Sequence, residues 1–182
     1  METDVANALS VYGRTKAEGE QKTIENNERS IIIRTSWLYS HFGKNFLKTI
    51  LRLSEEKEEI EIIDDQWGTP TYARDLASAA LTIIDSLDIE KQQRGEVRLD
   101  RFGIYHYSNE GKATWYDFAK EIKALFGFNT TIKPIPTSGY PTPATRPAYS
   151  VMDKTKIMNS FKLNIPHWKD SLAECRKLFS EE

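Results

Sequence analysis

Among 182 residues there is one cysteine, Cys175, and there are three scattered histidines, His41, His106 and His167. An internal disulfide is therefore impossible, and no Cys/His spacing suits zinc. No metal centre is expected. No apolar run approaches the roughly 20 residues of a membrane span. The opening METDVANALS has no basic stretch leading into an apolar one, so no signal peptide is visible. Neither sign of charge dominates: 25 Lys and Arg stand against 27 Asp and Glu, a net of -2. No global field draws the chain to nucleic acid. These absences predict a cytoplasmic protein with neither membrane nor nucleic-acid partners. Any anionic ligand must be held by local Arg or Lys. Nine glycines are present, yet none of them builds a GxxGxxG loop.

What is there has a globular balance, 39% hydrophobic and 29% charged, with no repeat and no low-complexity segment. Residues 12–28 are polar and helix-forming. SIIIRTSWLY (30–39) is a continuous apolar run, as in a strand covered on both faces of a parallel sheet. NFLKTILRLSEE (45–56) fits a helix with Phe46, Leu47, Ile50 and Leu51 inward, EEIEIID (58–64) a short strand, and DQWGTPT (65–71) a loop. Tyr72, Leu76, Ala80, Ile83, Ile84 and Leu87 form one helical stripe over 72–87, with Thr71 placed to cap it. GIYHYSN (103–109) reads as a strand. Thr114 with Asp117 reads as a capping box, and Gly127 as a helix stop. TIKPIP (131–136) suits an edge strand, because its prolines cannot donate to a ladder. An irregular loop (138–150) and helices over 153–161 and 168–179 close the chain, with Cys175 packed inward. The EEKEE run at 55–59 suits a solvated face. Alternating strands and helices predict an α/β fold.

VYGRTKAEGE (11–20) places Tyr12 and Lys16 one helical turn apart, with Cβ atoms about 5–6 Å from each other. A free phenol ionises near pH ~10. One ammonium about 5 Å away, at an effective dielectric near 20, favours phenolate by roughly 3 kcal/mol. The spacing therefore suits a tyrosine acting in proton transfer. It equally suits a solvated helix face.

The order of segments narrows the choice. VYGRTKAEGE, RTSWLY, NFLKTILRL, DQWGTPTYARDLA and YPTPATRPAYSVMD run in register from about Ala8 to the C-terminus. On these segments the chain resembles the dTDP-4-dehydrorhamnose reductases of the extended short-chain dehydrogenase/reductase superfamily. The resemblance implies the C-terminal part of a doubly wound, Rossmann-like parallel sheet with a smaller α/β substrate-binding lobe. Residues 1–57 would be the remainder of the dinucleotide-binding domain, and 58–182 mainly the nucleotide-sugar lobe, with some segments returning to the first domain. It also implies reduction of the 4-keto group of a dTDP-deoxyhexulose by NADPH or NADH. Tyr12 would be the proton donor, and Lys16 would tune it and bind the nicotinamide ribose. Thr35 and Ser36 fall at the C-terminal end of a strand, where open α/β sheets place ligands. Trp37 would lie against the sugar. Asn45 and Arg146, the latter through paired bonds to phosphate oxygens, are candidates for the diphosphate, and Gln66 for the nucleotide end. Structural roles stand beside these: Trp37 as core, Asn45 as a helix cap, Arg146 as a donor to loop carbonyls.

Family members begin with a GxxGxxG half that holds the cofactor diphosphate, and that half is expected to be missing here, together with the catalytic Ser or Thr upstream of the tyrosine. The chain alone is expected to be inactive. The strand at 31–34 is expected to expose ladder groups, favouring a homo-oligomer or association with the missing half. Some members bind Mg²⁺ between subunits through glutamates, one in the segment where this chain has Ala73 and Arg74, so no such metal is expected. Two other readings remain open: a non-catalytic, reductase-like binding subunit, and a reductase or epimerase for another nucleotide-sugar.

Overall fold

A computed structural model describes residues 1–4, 7–8, 10–140 and 146–180. Six α-helices are present among them: α1 (Val11–Asn26), α2 (Phe46–Glu56), α3 (Ala73–Arg94), α4 (Trp115–Phe126), α5 (Thr155–Phe161) and α6 (Trp168–Lys177). The strands are β1 (Ile31–Arg34), β2 (Leu38–Tyr39), β3 (Glu59–Ile63), β4 (Trp67–Gly68), β5 (Thr71–Tyr72), β6 (Gly103–His106), β7 (Ala113–Thr114) and β8 (Thr131–Ile135). They form parallel pairs β1–β6, β2–β5 and β3–β8, and the antiparallel pair β4–β7. The chain is an α/β protein built from parallel strand pairs, as the alternation of elements predicts.

Two apolar clusters hold it together. Leu47 and Ile50 of α2, Ile60 and Ile62 of β3, Phe118 and Ile122 of α4, and Trp168, Leu172 and Cys175 of α6 make the larger one. Burial pushes the Cys175 thiol up to about 11, which leaves it an inert core group. Ala79 and Ile83 of α3, Tyr105 of β6, and Ile157 and Phe161 of α5 make the other, with Ile31 and Ile33 of β1 packed against it. Helix α2 belongs to the first, while α3, β6 and α5 lie with β1 in the second.

Most elements fall where periodicity puts them. Thr114 and Asp117 make both bonds of the capping box, and Gly127 closes α4 in the left-handed conformation, φ 73°. Pro134 lies opposite Ile62 in β8, which among the described residues pairs with β3 alone. The differences have local causes. The apolar run at 30–39 is two short strands, not one, because Trp37 turns left-handed at φ 46° and breaks the extension. The isoleucines of β1 are half-buried rather than covered on both faces. The segment 65–71 contains β4 and the start of β5, so it is not wholly loop. Thr71 does not cap α3. It is buried within β5, the cap position falls to Tyr72, and the Tyr72 side chain makes no capping bond. Ile84 faces outward at 53% exposure, while Ile83 fills the core.

Candidate active site

Ser10 starts α1, its Oγ accepting from the Gly13 N–H at 3.1 Å. No residue of this helix is buried. Tyr12 is 72% exposed, and the Lys16 Nζ stands 5.5 Å from its ring centroid. Among the described residues neither the phenol nor the ammonium has a hydrogen-bond partner. The spacing read from the sequence is thus a contact between two side chains open to a ligand.

One ion pair fixes α1 to the sheet. Arg34, the last residue of β1, donates from Nε to Glu20 Oε1 at 2.9 Å and from Nη2 to Oε2 at 2.6 Å. This fork raises the guanidinium further above its ordinary range. Both residues are half-buried, and with Asn7, Ala8, Gly13, Lys16 and Ala17 they line a cavity of about 210 Å³. Lys16 is therefore held beside the C-terminal end of β1, the end at which open α/β sheets bind ligands. An arginine closing an apolar strand was the available sequence signal for this anchor.

Thr35, Ser36 and Trp37 continue from that strand end. Thr35 is exposed. Ser36 donates to the Thr69 carbonyl at 3.1 Å, and the Trp37 carbonyl accepts from the Thr71 N–H at 3.1 Å. Trp37 is half-buried, stacked on Trp115 with ring centroids 3.5 Å apart and planes 10° from parallel. A left-handed tryptophan costs about 1 kcal/mol or more, so the surrounding contacts must outweigh it. Trp115 is the residue sequence reasoning missed. Its position just inside the Thr114 cap was the signal.

Asn45 acts as the N-cap of α2. Its Oδ1 accepts from the Lys48 N–H at 3.2 Å, and its Nδ2 donates to the carbonyls of Ser40 at 2.7 Å and Phe42 at 3.1 Å. Gln66 is buried, donating to Thr137 Oγ1 at 3.0 Å. Its neighbour Asp65 accepts from the same residue, and those bonds hold its carboxyl below the usual range. Trp67 then clasps the second loop: its N–H donates to the Ala148 carbonyl and its carbonyl accepts from the Ser150 N–H, both at 2.8 Å. Arg146, exposed, lies two residues before that clasp, so Gln66 and Arg146 are brought to one region. Residues 141–145 of the predicted loop fall outside the described residues. No distance ties this region directly to Tyr12. The two are joined through β1, the Trp37 turn and the Trp37–Thr71 bond.

The donor set on α1 can be matched to part of a nicotinamide dinucleotide. An ammonium with three N–H donors and a phenol suit ribose hydroxyls. No glycine-rich cradle for the diphosphate occurs in the sequence. The residues present fit the nicotinamide-ribose end. Among the described residues no group of three or more His, Cys, Asp or Glu is placed to hold a metal ion, and no helix is long and apolar enough to cross a membrane.

The chain is similar to proteins of known family. A dTDP-4-dehydrorhamnose reductase of Aggregatibacter actinomycetemcomitans is 38% identical over 181 residues, covering 96% of this chain and 59% of that relative. The crystal structure of a dTDP-4-dehydrorhamnose reductase from Clostridium acetobutylicum superposes with a TM-score of 0.86 at 36% identity, over 98% of this chain and 59% of that one. A Bacillus anthracis dTDP-4-dehydrorhamnose reductase, solved in complex with NADP, gives 0.79 at 33% identity, over 99% of this chain and 58% of that one. The chain thus spans less than two thirds of the length of these relatives. Residues 1–180 match the RmlD substrate binding domain, and the chain belongs to that family.

Proposed function

We propose that this chain is the portion of a dTDP-4-dehydrorhamnose reductase that carries the proton donor and binds the sugar nucleotide. The observation that carries the reading is the Tyr12–Lys16 contact on a helix anchored at the C-terminal end of β1. The strands β1 and β6 with α3 and α5 are the remainder of the dinucleotide-binding domain. The lobe of α2, β3, β8, α4 and α6 serves the nucleotide-sugar.

The reaction reduces a C4 ketone. A nicotinamide cofactor, NADPH or NADH, supplies the hydride to C4 when bound. Tyr12 Oη gives its proton to the C4 oxygen, so the carbonyl π pair becomes the new O–H bond and the tyrosine is left as phenolate. Lys16 stabilises that phenolate and donates to the ribose hydroxyls. Thr35 and Ser36 border the cofactor. Ser36 uses its hydrogen on Thr69 and offers lone pairs only. Trp37 lies against the sugar. Arg146 forks onto the diphosphate, and Gln66 stands at the nucleotide end. Asn45 has its amide committed within the protein, so it serves the diphosphate through the loop it shapes. The side chains of Ala73 and Arg74 offer no lone pair to a cation, so neither supplies the glutamate ligand that a Mg²⁺ between subunits would need.

Without a glycine-rich loop in its sequence, the chain needs that element from elsewhere for turnover. Strand β1 is paired on one edge by β6, and its other edge is the surface for a second copy or for a partner bearing the N-terminal half. A strictly monomeric species in sedimentation at high concentration counts against that surface.

Calorimetric titration with dTDP, with UDP as control, tests the binding reading. Saturable binding of dTDP is expected, weakened about tenfold by Arg146→Ala, the loss of one charge-assisted fork. No dTDP binding, or equal binding of dTDP and UDP untouched by Arg146→Ala, overturns it.

A further inference from the structure

Trp37 is confined on three sides. Its backbone sits in the left-handed region, φ 46°, which only a few contacts could enforce. One face of its indole lies on Trp115 at 3.5 Å between centroids, and Phe46 supports Trp115 from another direction at 4.7 Å. Its edge runs over Gly68 so closely that a Cβ there would stand 2.4 Å from Trp37 Cε2 and 2.8 Å from Nε1. Gly68 has no left-handed φ to explain it. What requires the glycine is the passage of the indole. Both Gly68 and Trp115 belong to elements of the antiparallel β4–β7 corner: Gly68 pairs with Ala113, Trp67 with Thr114, and Trp115 begins α4 at once. One corner thus supplies the surface under the ring and the surface beside it.

We infer that Trp115 is a positioning residue that fixes the orientation of the Trp37 indole for the sugar ring of a nucleotide-sugar, with Gly68 as the space that orientation needs. The inference rests on the reading of Trp37 as a sugar contact. The Trp115 indole is occupied by Trp37 and Phe46, so it acts through Trp37. A freely turning Trp37 would cover the same area of sugar in several poses. A stacked one presents a single pose and loses less freedom on binding.

Circular dichroism near 225 nm and calorimetry test this together on the whole chain. Indoles stacked this closely couple, so the wild-type protein should show an exciton couplet lost equally in Trp115→Phe and Trp37→Phe. Absence of the couplet in the wild-type protein overturns the positioning whatever the ligand does. Titration with dTDP-L-rhamnose and with dTDP then separates the two readings. Trp115→Leu should weaken dTDP-L-rhamnose about tenfold and leave dTDP within about twofold, with Trp115→Phe restoring most of the sugar affinity by keeping an aromatic face. If Trp37→Leu loses the sugar affinity while Trp115→Leu keeps it, Trp37 is a sugar contact and Trp115 does not position it. If neither substitution changes the affinity for dTDP-L-rhamnose, the reading of Trp37 fails and the positioning with it. Equal loss of dTDP and dTDP-L-rhamnose binding in Trp115→Leu marks a general collapse of the lobe and also overturns it. Trp115→Phe with a wild-type melting curve guards against misfolding.

Discussion

Helix α1 and the junction around Asn109 are built on opposite terms. The helix buries none of its residues and holds to the sheet by the Arg34–Glu20 fork. Asn109 is fully buried, and every hydrogen-bonding atom of its side chain is used. Its Nδ2 donates to Asp75 Oδ2 at 2.7 Å, Ser171 Oγ at 2.8 Å and the Pro166 carbonyl at 3.2 Å, and its Oδ1 accepts from the Tyr72 N–H at 2.8 Å. Lys154 reaches the Asn109 carbonyl at 3.2 Å and the Glu110 carboxylate at 3.5 Å. The junction ties the start of α3 to α6 and thereby joins the two apolar clusters. The comparison separates chemistry from stability: the groups proposed for catalysis sit where the fold gains almost nothing from them, and the amide at the centre of the junction has nothing left to offer a ligand.

The largest expected effect breaks the junction. Asn109→Ala strands the buried Tyr72 N–H and takes one donor from Asp75, which keeps its bond from the Ser171 hydroxyl, and should cost about 3 kcal/mol. Urea unfolding measures it. A change under about 1 kcal/mol would mean that water or a rearranged Ser171 replaces the amide, and that the two clusters are joined by packing alone.

The apolar periodicities of α2, α4 and α6, the Thr114–Asp117 box and the Gly127 stop were all legible in the sequence, because each follows from residues within a turn or two of one another. The Tyr12–Lys16 pair was legible for the same reason. What escaped depends on partners far along the chain. The break at Trp37 comes from Trp115 and Gly68, and Thr71 loses its capping role because β5 pairs with β2. Asn45 shows the limit from the other side: a cap and a ligand contact look alike as letters, and only the bonds to Ser40, Phe42 and Lys48 reveal how its amide is spent.

A smaller effect should appear with pH at the end of β6. His106 is buried there, its Nδ1 without a hydrogen-bond partner among the described residues. Burial lowers its pKa from 6.5, opposed by Glu2 and reinforced by Arg34. The unfolded chain then takes up a proton more readily than the folded one. The contribution of His106 is fully present above 6.5 and declines as pH falls toward the depressed folded value. Urea midpoints should fall between neutral and mildly acidic pH, and His106→Asn should flatten that part of the profile. An unchanged slope in His106→Asn would assign the decline to other groups.

The smallest expected effect on stability is also the sharpest form of the comparison. Tyr12 is 72% exposed and Lys16 is held only over its ring. Tyr12→Phe removes one hydroxyl from solvent and keeps the ring, so the unfolding free energy should stay within about 0.5 kcal/mol. In a preparation supplied with the N-terminal half of a reductase of this family, the same substitution should lower ketone reduction about 100-fold or more, the usual scale for losing a positioned proton donor. Lys16→Met should follow it in both respects, since the ammonium supports the phenolate and contributes no buried contact. If Tyr12→Phe instead destabilises the chain by an amount like that of Asn109→Ala, α1 is part of the framework and the separation of chemistry from stability is false. If stability and turnover are both unchanged, the proton reaches the C4 oxygen from another group. The exposed pair would then be an ordinary solvated helix face.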